Sequence, residues 1–271
     1  MPELPEVEHA ARSLRAWMQG RCIVRAAAER GRVLRDEDPR RFARVLSGRT
    51  LESVERRGKY LLLIFDREVG LLSHLGMTGK LVLREAGEVE PYSRARFELQ
   101  GGQVVHFRDP RKFGRLRLAP ARRLAQQPEI AALGPDAWEE PPTLRSLSES
   151  LGRTKRPVKL ALMDQSVIAG LGNIQVAEAL FRAHVSPRRR ADQLRPEELG
   201  RLATAIRESL AFTLARLTPV QGDVSYVEEP GAANPFLIYG KAGEPCPLCG
   251  EKLRSFSQGG RTTHWCPRCQ R

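Results

Sequence analysis

The chain has 271 residues, a length that fits two domains that each bury a core of their own. Lysine and arginine outnumber aspartate and glutamate by 45 to 32, and the formal net charge of +13 indicates a polyanionic partner, nucleic acid above all. A membrane protein is not expected, because no apolar run approaches the length of a membrane span and the run at 61–65 has only the length of a strand. The N-terminus lacks the features of a secretory signal, so we expect a cytoplasmic protein.

Residues 1–120 are predicted to form a β-sandwich with a leading α-helix. Val7, Ala11, Leu14 and Met18 recur at helical spacing, and Gly20 can end this helix. From 21 to 118 the pattern is typical of strands. The predicted strands are TLESVERR, KYLLLIF, GLLSHLG, KLVLR, RARFELQ, QVVHF and RLRLA, and the glycine pair 101–102 predicts a hairpin before QVVHF.

The second half is predicted to be mainly helical, which makes the whole chain an α+β protein. Prolines and short helical pieces at 121–142 mark the junction, and a helical domain follows at 143–238. One helix begins at Asn173 after a Gly-x-Gly turn, and a long helix with one apolar stripe begins at Pro196. Residues 218–240 are rich in proline and glycine and predict a long loop, a kind of segment that is often functional.

The last part of the chain, 239–271, carries four cysteines with the spacing of a zinc site. The pattern is C-x2-C-x16-C-x2-C, formed by Cys246, Cys249, Cys266 and Cys269. The glycine pair 259–260 lies midway and predicts a β-hairpin zinc finger. Four sulfur ligands leave no open coordination position, so we expect one structural Zn²⁺, with a redox dithiol pair as the alternative. Arg261 follows the hairpin glycines, where its side chain can face DNA or remain a solvated charge.

The N-terminus places a secondary amine and two carboxylates, Pro2, Glu3 and Glu6, at the start of one helix. Removal of Met1 would make Pro2 the free terminus. At pH 7 about one α-amine in seven is unprotonated, against about one lysine in 2,500, so the terminus is the better nucleophile. Attack on the anomeric carbon of a sugar would expel the base and leave an iminium, which allows strand cleavage by elimination. The alternative is an ordinary proline-capped helix start.

Seven sequence motifs in a fixed order resemble the bacterial formamidopyrimidine-DNA glycosylases, relatives of endonuclease VIII, over essentially the whole chain. They are PELPEVE at 2–8, RRGKYLLL at 56–63, HLGMTG at 74–79, DPRKFG at 109–114, GLGN at 170–173, YGKAGEPC at 239–246 and the four-cysteine finger. The resemblance implies a bifunctional glycosylase and abasic-site lyase that removes oxidised or ring-opened purines, such as 8-oxoguanine and formamidopyrimidines, from duplex DNA. It also implies a helix-two-turn-helix domain and zinc as the only cofactor. The protein would be a monomer in the bacterial cytoplasm, associated with the nucleoid through DNA binding.

The resemblance further implies roles for individual residues. Pro2 would attack the sugar, Glu3 would transfer protons, Glu6 would support the site, and Lys59 would reach the lesion or its flanking phosphate. His74, Asn173 and Arg261 would bind backbone phosphates, and Met77, Arg111 and Phe113 would fill the gap left by the extruded nucleotide. Without the resemblance, Lys59 is a cation that enters a buried strand, and Met77 and Phe113 are core residues. The glycine-flanked turns around Met77 and Phe113 favour display at a loop tip instead.

The chain departs from the family pattern at two places. Gln175 stands where most members carry a tyrosine. Residues 218–238 lack the glycine- and threonine-rich opening of the loop that closes over the extruded base, and Glu228 and Glu229 make this stretch acidic. The lesion preference and the preferred opposite base are therefore not fixed by the sequence.

Two other functions remain open. An endonuclease VIII-like enzyme would act on oxidised pyrimidines, but PELPEVE and the set of Met77, Arg111 and Phe113 disfavour it. A zinc-finger protein could bind damaged DNA without cleaving it, but such a protein needs none of Pro2, Glu3 and Lys59.

Overall fold

A computed structural model describes residues 2–34, 37–217, 223–227, 229 and 231–271. The chain divides into two compact units, Met1–Ala131 with Arg216–Glu228, and Ala132–Ala215 with Glu229–Arg271. Helices and sheets occur together, which confirms the predicted α+β class. Among the residues that the structure describes, no helix is long and apolar enough to cross a bilayer.

The first unit contains two antiparallel four-stranded sheets and a leading helix, as predicted. Its elements are α1 (Leu4–Met18), β1 (Ile23–Ala28), α2 (Pro39–Leu46), β2 (Leu51–Arg57), β3 (Tyr60–Phe65), β4 (Val69–His74), β5 (Lys80–Glu85), β6 (Ser93–Leu99), β7 (Gln103–Arg108), β8 (Arg115–Pro120) and α3 (Pro128–Ala131). The strand orders are β1-β6-β7-β5 and β2-β3-β4-β8. The seven predicted strands are β2 to β8.

One core cluster joins side chains of both sheets to the buried stripe of α1. Val7, Ala11, Leu14 and Met18 are all fully buried in this cluster. The ring of Phe42 on α2 lies 6.0 Å from that of Phe97 on β6, measured between centroids. The sandwich therefore encloses the face of α1 that the apolar spacing predicted, and this packing holds the helix start that carries Pro2 and Glu3 in place.

Sequence analysis missed two elements of the first unit, β1 and α2. β1 reads IVRAAA, and its alanines have low strand propensity, so its pairing with β6 decides its conformation. α2 does carry a local start signal. Asp38 is its N-cap and accepts a hydrogen bond from the Arg40 amide at 2.8 Å, and Pro39 follows in the first turn.

The second unit contains the remaining helices and a C-terminal hairpin. Its elements are α4 (Leu144–Leu151), α5 (Val158–Leu162), α6 (Asn173–Arg182), α7 (Pro196–Leu217), β9 (Arg254–Gln258) and β10 (Arg261–Trp265), with the last two residues of α7 belonging to the first unit. Leu202, Ile206 and Leu210 on the predicted stripe of α7 are fully buried. β9 and β10 pair antiparallel around the predicted glycine turn.

Some predictions fall on parts of the chain that the structure does not describe. Met1, Glu228 and residues 218–222 and 230 of the predicted 218–240 loop lie outside the described residues. The described part of that loop forms neither helix nor strand. The domain boundaries at 120, 142 and 238 stay predictions.

Candidate catalytic site and nucleic-acid interface

The start of α1 holds Pro2, Glu3 and Glu6, three of the four residues of the predicted catalytic centre, and Lys59 is the fourth. Pro2 and Glu3 are buried, and Glu3 is the N-cap of the helix. Its amide donates to Glu6 Oε2 at 2.8 Å, as half of a capping box. Burial and the neighbouring Glu3 carboxylate raise the pKa of Glu6 to about 7. Glu6 can therefore exchange a proton near neutral pH in the first turn of the helix that Pro2 precedes.

A buried ion pair joins α1 to the turn that precedes Lys59. Arg56 Nε lies 2.9 Å from Glu8 Oε2, and both side chains are buried. Arg56 also donates from Nη1 to the Gly58 carbonyl at 3.1 Å. The position of Lys59 relative to the helix start is thus fixed through Arg56, a residue that sequence analysis did not single out.

His74 ends β4 and carries a neutral ring. Burial first, and then the positive charges of Lys59 and Arg115, lower the pKa of His74 to about 4. Nδ1 accepts a hydrogen bond from the Gly76 amide at 3.0 Å, so the ring proton resides on Nε2. The ring also packs against Tyr60, with 4.7 Å between centroids. His74 can therefore act as a hydrogen-bond donor whose protonation does not change around pH 7.

The predicted inserting residues occupy two turns that pack against each other, 75–79 and 109–114, hereafter the paired turns. Gly76, at φ +67°, approaches the second turn so closely that a Cβ there would lie 2.4 Å from the Phe113 carbonyl carbon. Met77 and Phe113 are 39% and 41% exposed, far more than core residues. The exposed Arg111 guanidinium lies 4.8 Å from the Phe113 ring centroid. All three side chains therefore lie on the exposed surface of the paired turns in the first unit.

A buried carboxylate, Asp109, connects the paired turns. Asp109 is fully buried, and its Oδ1 accepts from the Thr78 hydroxyl at 2.5 Å. Its Oδ2 accepts from the Gly114 amide at 2.7 Å, and the Arg111 amide lies 3.3 Å from Oδ1. Sequence analysis missed this role. The available signal was Asp109-Pro110, an aspartate at the start of a turn whose side chain can bond the amide two residues later.

Asn173 bonds the backbone of the C-terminal hairpin in the second unit, at the residue that follows Arg261. Asn173 begins α6, and its Nδ2 donates to the Thr262 carbonyl at 3.0 Å. Its Oδ1 is buried and has no hydrogen-bond partner among the described residues. Arg261, one residue before Thr262, is exposed. The start of α6 and the hairpin turn thus lie side by side, and the positive dipole end of a helix start attracts anions.

Gln175, the departure from the family pattern, is a packing residue within the second unit. It is buried, and its Nε2 donates to Thr213 Oγ1 at 2.9 Å. Its Oε1 accepts from Ser209 Oγ at 2.7 Å. Both partners lie on α7, so the amide joins α6 to α7.

Glu178, one turn further along α6, is a buried carboxylate that sequence analysis missed. Its oxygens accept from three consecutive amides, those of Leu237 at 2.9 Å, Ile238 at 2.9 Å and Tyr239 at 3.1 Å. Glu178 thereby fixes the segment that leads into the four-cysteine module. No local pattern in the sequence could have shown that these three amides converge on it.

The four cysteines form a cluster that fits a zinc ion. The Sγ atoms of Cys246, Cys249, Cys266 and Cys269 all lie within 4.8 Å of one another. Two Sγ pairs are 3.6 and 3.9 Å apart. Tetrahedral zinc with Zn–S bonds of about 2.3 Å requires sulfurs about 3.8 Å apart, so the spacing matches. Four thiolates fill the coordination shell, and the site is structural.

Three family models match successive parts of the chain. They are described as the formamidopyrimidine-DNA glycosylase N-terminal domain, matching residues 1–116, the formamidopyrimidine-DNA glycosylase H2TH domain, matching 133–219, and a zinc finger found in FPG and IleRS, matching 243–271. The last match covers the four-cysteine cluster and agrees with one structural zinc.

Individual proteins are similar over the full length. The formamidopyrimidine-DNA glycosylase of Rhodopseudomonas palustris is 39% identical over 297 residues, which covers 100% of both chains. The crystal structure of the MutM (Fpg) protein from Thermus thermophilus matches with a TM-score of 0.83 and 37% identity, covering 99% of this chain and 98% of that one. A Lactococcus lactis Fpg variant in complex with DNA that contains Fapy-dG matches with a TM-score of 0.87 and 30% identity, covering 100% of both.

Proposed function

The chain belongs to the formamidopyrimidine-DNA glycosylase family, and we propose that it excises oxidised or ring-opened purines from duplex DNA and then cleaves the strand at the abasic site. The observation that carries this proposal is the helix start, where Pro2 precedes Glu3 and the Glu3 amide donates to the Glu6 carboxylate. The solved relative with Fapy-dG in its DNA supports the choice of ring-opened purines as substrates. Structural zinc is the only cofactor that we propose.

The chemistry begins once Met1 has been removed and Pro2 is the terminus. The lone pair of the Pro2 nitrogen attacks C1′ of the damaged nucleotide, the bond from C1′ to the base breaks, and the base leaves with a proton. The Pro2 nitrogen gives up its proton to a carboxylate, the C1′–O4′ bond breaks and O4′ takes up a proton. The resulting iminium acidifies the protons on C2′. Loss of a C2′ proton breaks the C3′–O bond, and a second elimination releases the 5′ phosphate.

Two carboxylates serve these proton transfers. Glu3 is proposed as the group that carries protons to and from the sugar, since it follows the nucleophile directly. Glu6 accepts a hydrogen bond from the Glu3 amide, and its pKa of about 7 lets it hold or release a proton at working pH. Glu6 therefore supports Glu3 and does not need to touch the substrate.

DNA binding uses both units. The base is inside the duplex and must be turned out, so Met77 and Phe113 fill the gap while Arg111 bonds the orphaned base. His74, Asn173 and Arg261 bind backbone phosphates, and Lys59 reaches the lesion or the phosphate beside it. The relatives are bacterial, and we propose that the protein works as a monomer in the bacterial cytoplasm, on the nucleoid.

Reductive trapping tests the proposal. Protein whose mass shows loss of Met1 is mixed with duplex DNA carrying 8-oxoguanine, and borohydride then reduces any iminium to a stable amine. We expect a covalent adduct that tandem mass spectrometry of the digested protein places on Pro2, and a much lower yield with Pro2→Gly of unchanged circular dichroism.

Other outcomes discriminate the alternatives. An adduct on Lys59 in place of Pro2 contradicts the assigned nucleophile. An adduct with oxidised pyrimidines but not with purines favours the endonuclease VIII-like function. Tight binding without an adduct on any lesion leaves a damage-binding protein.

A further inference from the structure

Residues 223–227 are attached to the sheet at β5 by a bidentate ion pair. Arg84 Nη1 lies 2.9 Å from Asp223 Oδ1, and Nη2 lies 2.5 Å from Oδ2. Paired N–H donors that face both carboxylate oxygens are the strong geometry for this pair. The sequence positions are 139 residues apart, so the pair is a tertiary contact within the first unit.

Charge around Arg84 explains why an aspartate is held there. Arg84 also lies 2.7 Å from Glu90 Oε2, and Arg108 Nε lies 3.2 Å from Glu90 Oε1. Glu90 is buried, and its one carboxylate faces two guanidinium groups. Asp223 brings a second carboxylate, 3.9 Å from Arg108, and thereby balances the cluster. Its hydrogen bond with Arg84 keeps the pKa of Asp223 below the ordinary value, so the pair is ionised at neutral pH.

Three residues beyond Asp223, Tyr226 contacts the base of the turn that carries Met77. The buried Tyr226 hydroxyl donates to the Gly79 carbonyl at 2.6 Å. The Lys80 ammonium lies 4.7 Å from the centre of the Tyr226 ring. The Gly79 amide in turn donates to the Leu75 carbonyl at 2.9 Å, which closes the turn around Met77. Tyr226 therefore bonds the residue at which this turn joins β5.

We propose that Asp223 and Tyr226 are positioning residues that brace the Met77 turn while the damaged nucleotide is out of the helix. Neither residue touches the reacting atoms. Arg84 holds Asp223, Asp223 thereby holds residues 223–227 against β5, and Tyr226 holds the Met77 turn at Gly79. A nucleotide that still carries its base regains stacking when it returns to the helix, so Met77 must stay inserted against that driving force. An abasic nucleotide has no base to restack, and its cleavage needs the brace far less.

The test separates base excision from strand cleavage and rests on the proposed function. Tyr226→Phe removes one hydroxyl, Asp223→Asn removes one charge, and Asp223→Glu keeps that charge. Single-turnover rates are measured on an 8-oxoguanine duplex and on an abasic duplex. We expect Tyr226→Phe and Asp223→Asn to slow excision about tenfold, the effect of losing roughly one hydrogen bond, while abasic cleavage stays within about twofold. Asp223→Glu should recover most of the excision rate.

A matched control lies in the second unit. Asp192 forms a similar bidentate pair with Arg190, at 3.0 and 2.7 Å, so Asp192→Asn removes the same kind of contact elsewhere and should leave both rates unchanged. Equal losses on both substrates, or no loss on either, would overturn the brace.

A binding readout keeps the brace distinct from the chemistry. 2-Aminopurine placed next to the lesion brightens when the stack opens, and the rise should be smaller with Tyr226→Phe than with the unaltered protein on base-bearing duplex only. If the unaltered protein opens the stack but never forms an adduct, the proposed function is contradicted. The proposed role of Asp223 and Tyr226 in holding the Met77 turn is then not contradicted. A fluorescence rise that Tyr226→Phe does not change would overturn the brace.

Discussion

The zinc hairpin and the paired turns both present an arginine to solvent at a glycine-containing turn, but different forces hold them. The hairpin of the second unit depends on four thiolates within 24 consecutive residues. The paired turns of the first unit depend on Asp109, whose carboxylate reaches Thr78 across 31 positions. The first arrangement is local and shows in the spacing of one residue type. The second is completed by tertiary structure, because the bond from Thr78 to Asp109 has no local sequence signal.

The two arrangements also differ in energy. A structural zinc site contributes about 10–16 kcal/mol of apparent folding free energy at pH 7, so the hairpin depends on one ion. A hydrogen bond to a buried charge contributes about 1.5–3 kcal/mol, so the paired turns depend on a few bonds at one side chain. We therefore expect that the hairpin and the paired turns can each lose their structure while the other keeps it.

Loss of zinc should have the largest effect. Cys266→Ser removes a buried ligand, and we expect loss of bound zinc and of amide protection in 254–265, because the hairpin has little core of its own. Amide hydrogen exchange with metal analysis measures both, and β3 at 60–65 should keep its protection. Cys22→Ser, outside the cluster, is the control and should retain zinc. A hairpin that stays protected without metal would contradict the zinc dependence.

Removal of the buried carboxylate should have an intermediate effect. Asp109→Ala leaves the Gly114 amide buried without its acceptor, and we expect a loss of about 2–4 kcal/mol in the free energy of unfolding, with weaker binding to lesion DNA. Urea unfolding and a binding titration measure these losses. Zinc content should remain one ion per chain, since Asp109 lies in the other unit. Asp109→Asn, which keeps an acceptor oxygen, should lose less than Asp109→Ala, and the reverse order would contradict this account.

Removal of the exposed arginines should have the smallest effect on folding. Arg261→Ala and Arg111→Ala should each change the free energy of unfolding by less than about 0.5 kcal/mol. In binding the two should differ. Arg261→Ala should weaken binding evenly across sequences and lower the salt slope by about one, whereas Arg111→Ala should relax discrimination of the opposite base by about 1–3 kcal/mol. Salt-dependent titrations against all four opposite bases measure this, and loss of zinc in Arg261→Ala would mean that Arg261 serves the finger.

The regions that could be predicted from sequence are those with local periodicity or ligand spacing. α1 and α7 follow their apolar stripes, β2 to β8 follow short strand-like runs separated by turn residues, and the hairpin follows its cysteines and glycines. β1 escaped prediction because partner strands decide its conformation. At the candidate site, the motifs contain the residues of the paired turns and of the helix start. The roles of Arg56 and Glu178 could not be predicted, because their partners Glu8 and 237–239 come near only in the folded chain. For Asp109 the local turn signal was available, but its bond to Thr78 was not predictable.

The neutral ring of His74 has a consequence for binding in the cell. Each arginine that meets a phosphate releases condensed cations from the duplex, so its share of the affinity declines as ionic strength rises. An imidazole that is uncharged in the free protein displaces no such cations, so its Nε2–H bond weakens less with salt than an arginine contact does. In its proposed phosphate contact, His74 thus contributes a share of the affinity that declines less with ionic strength than the share of an arginine contact.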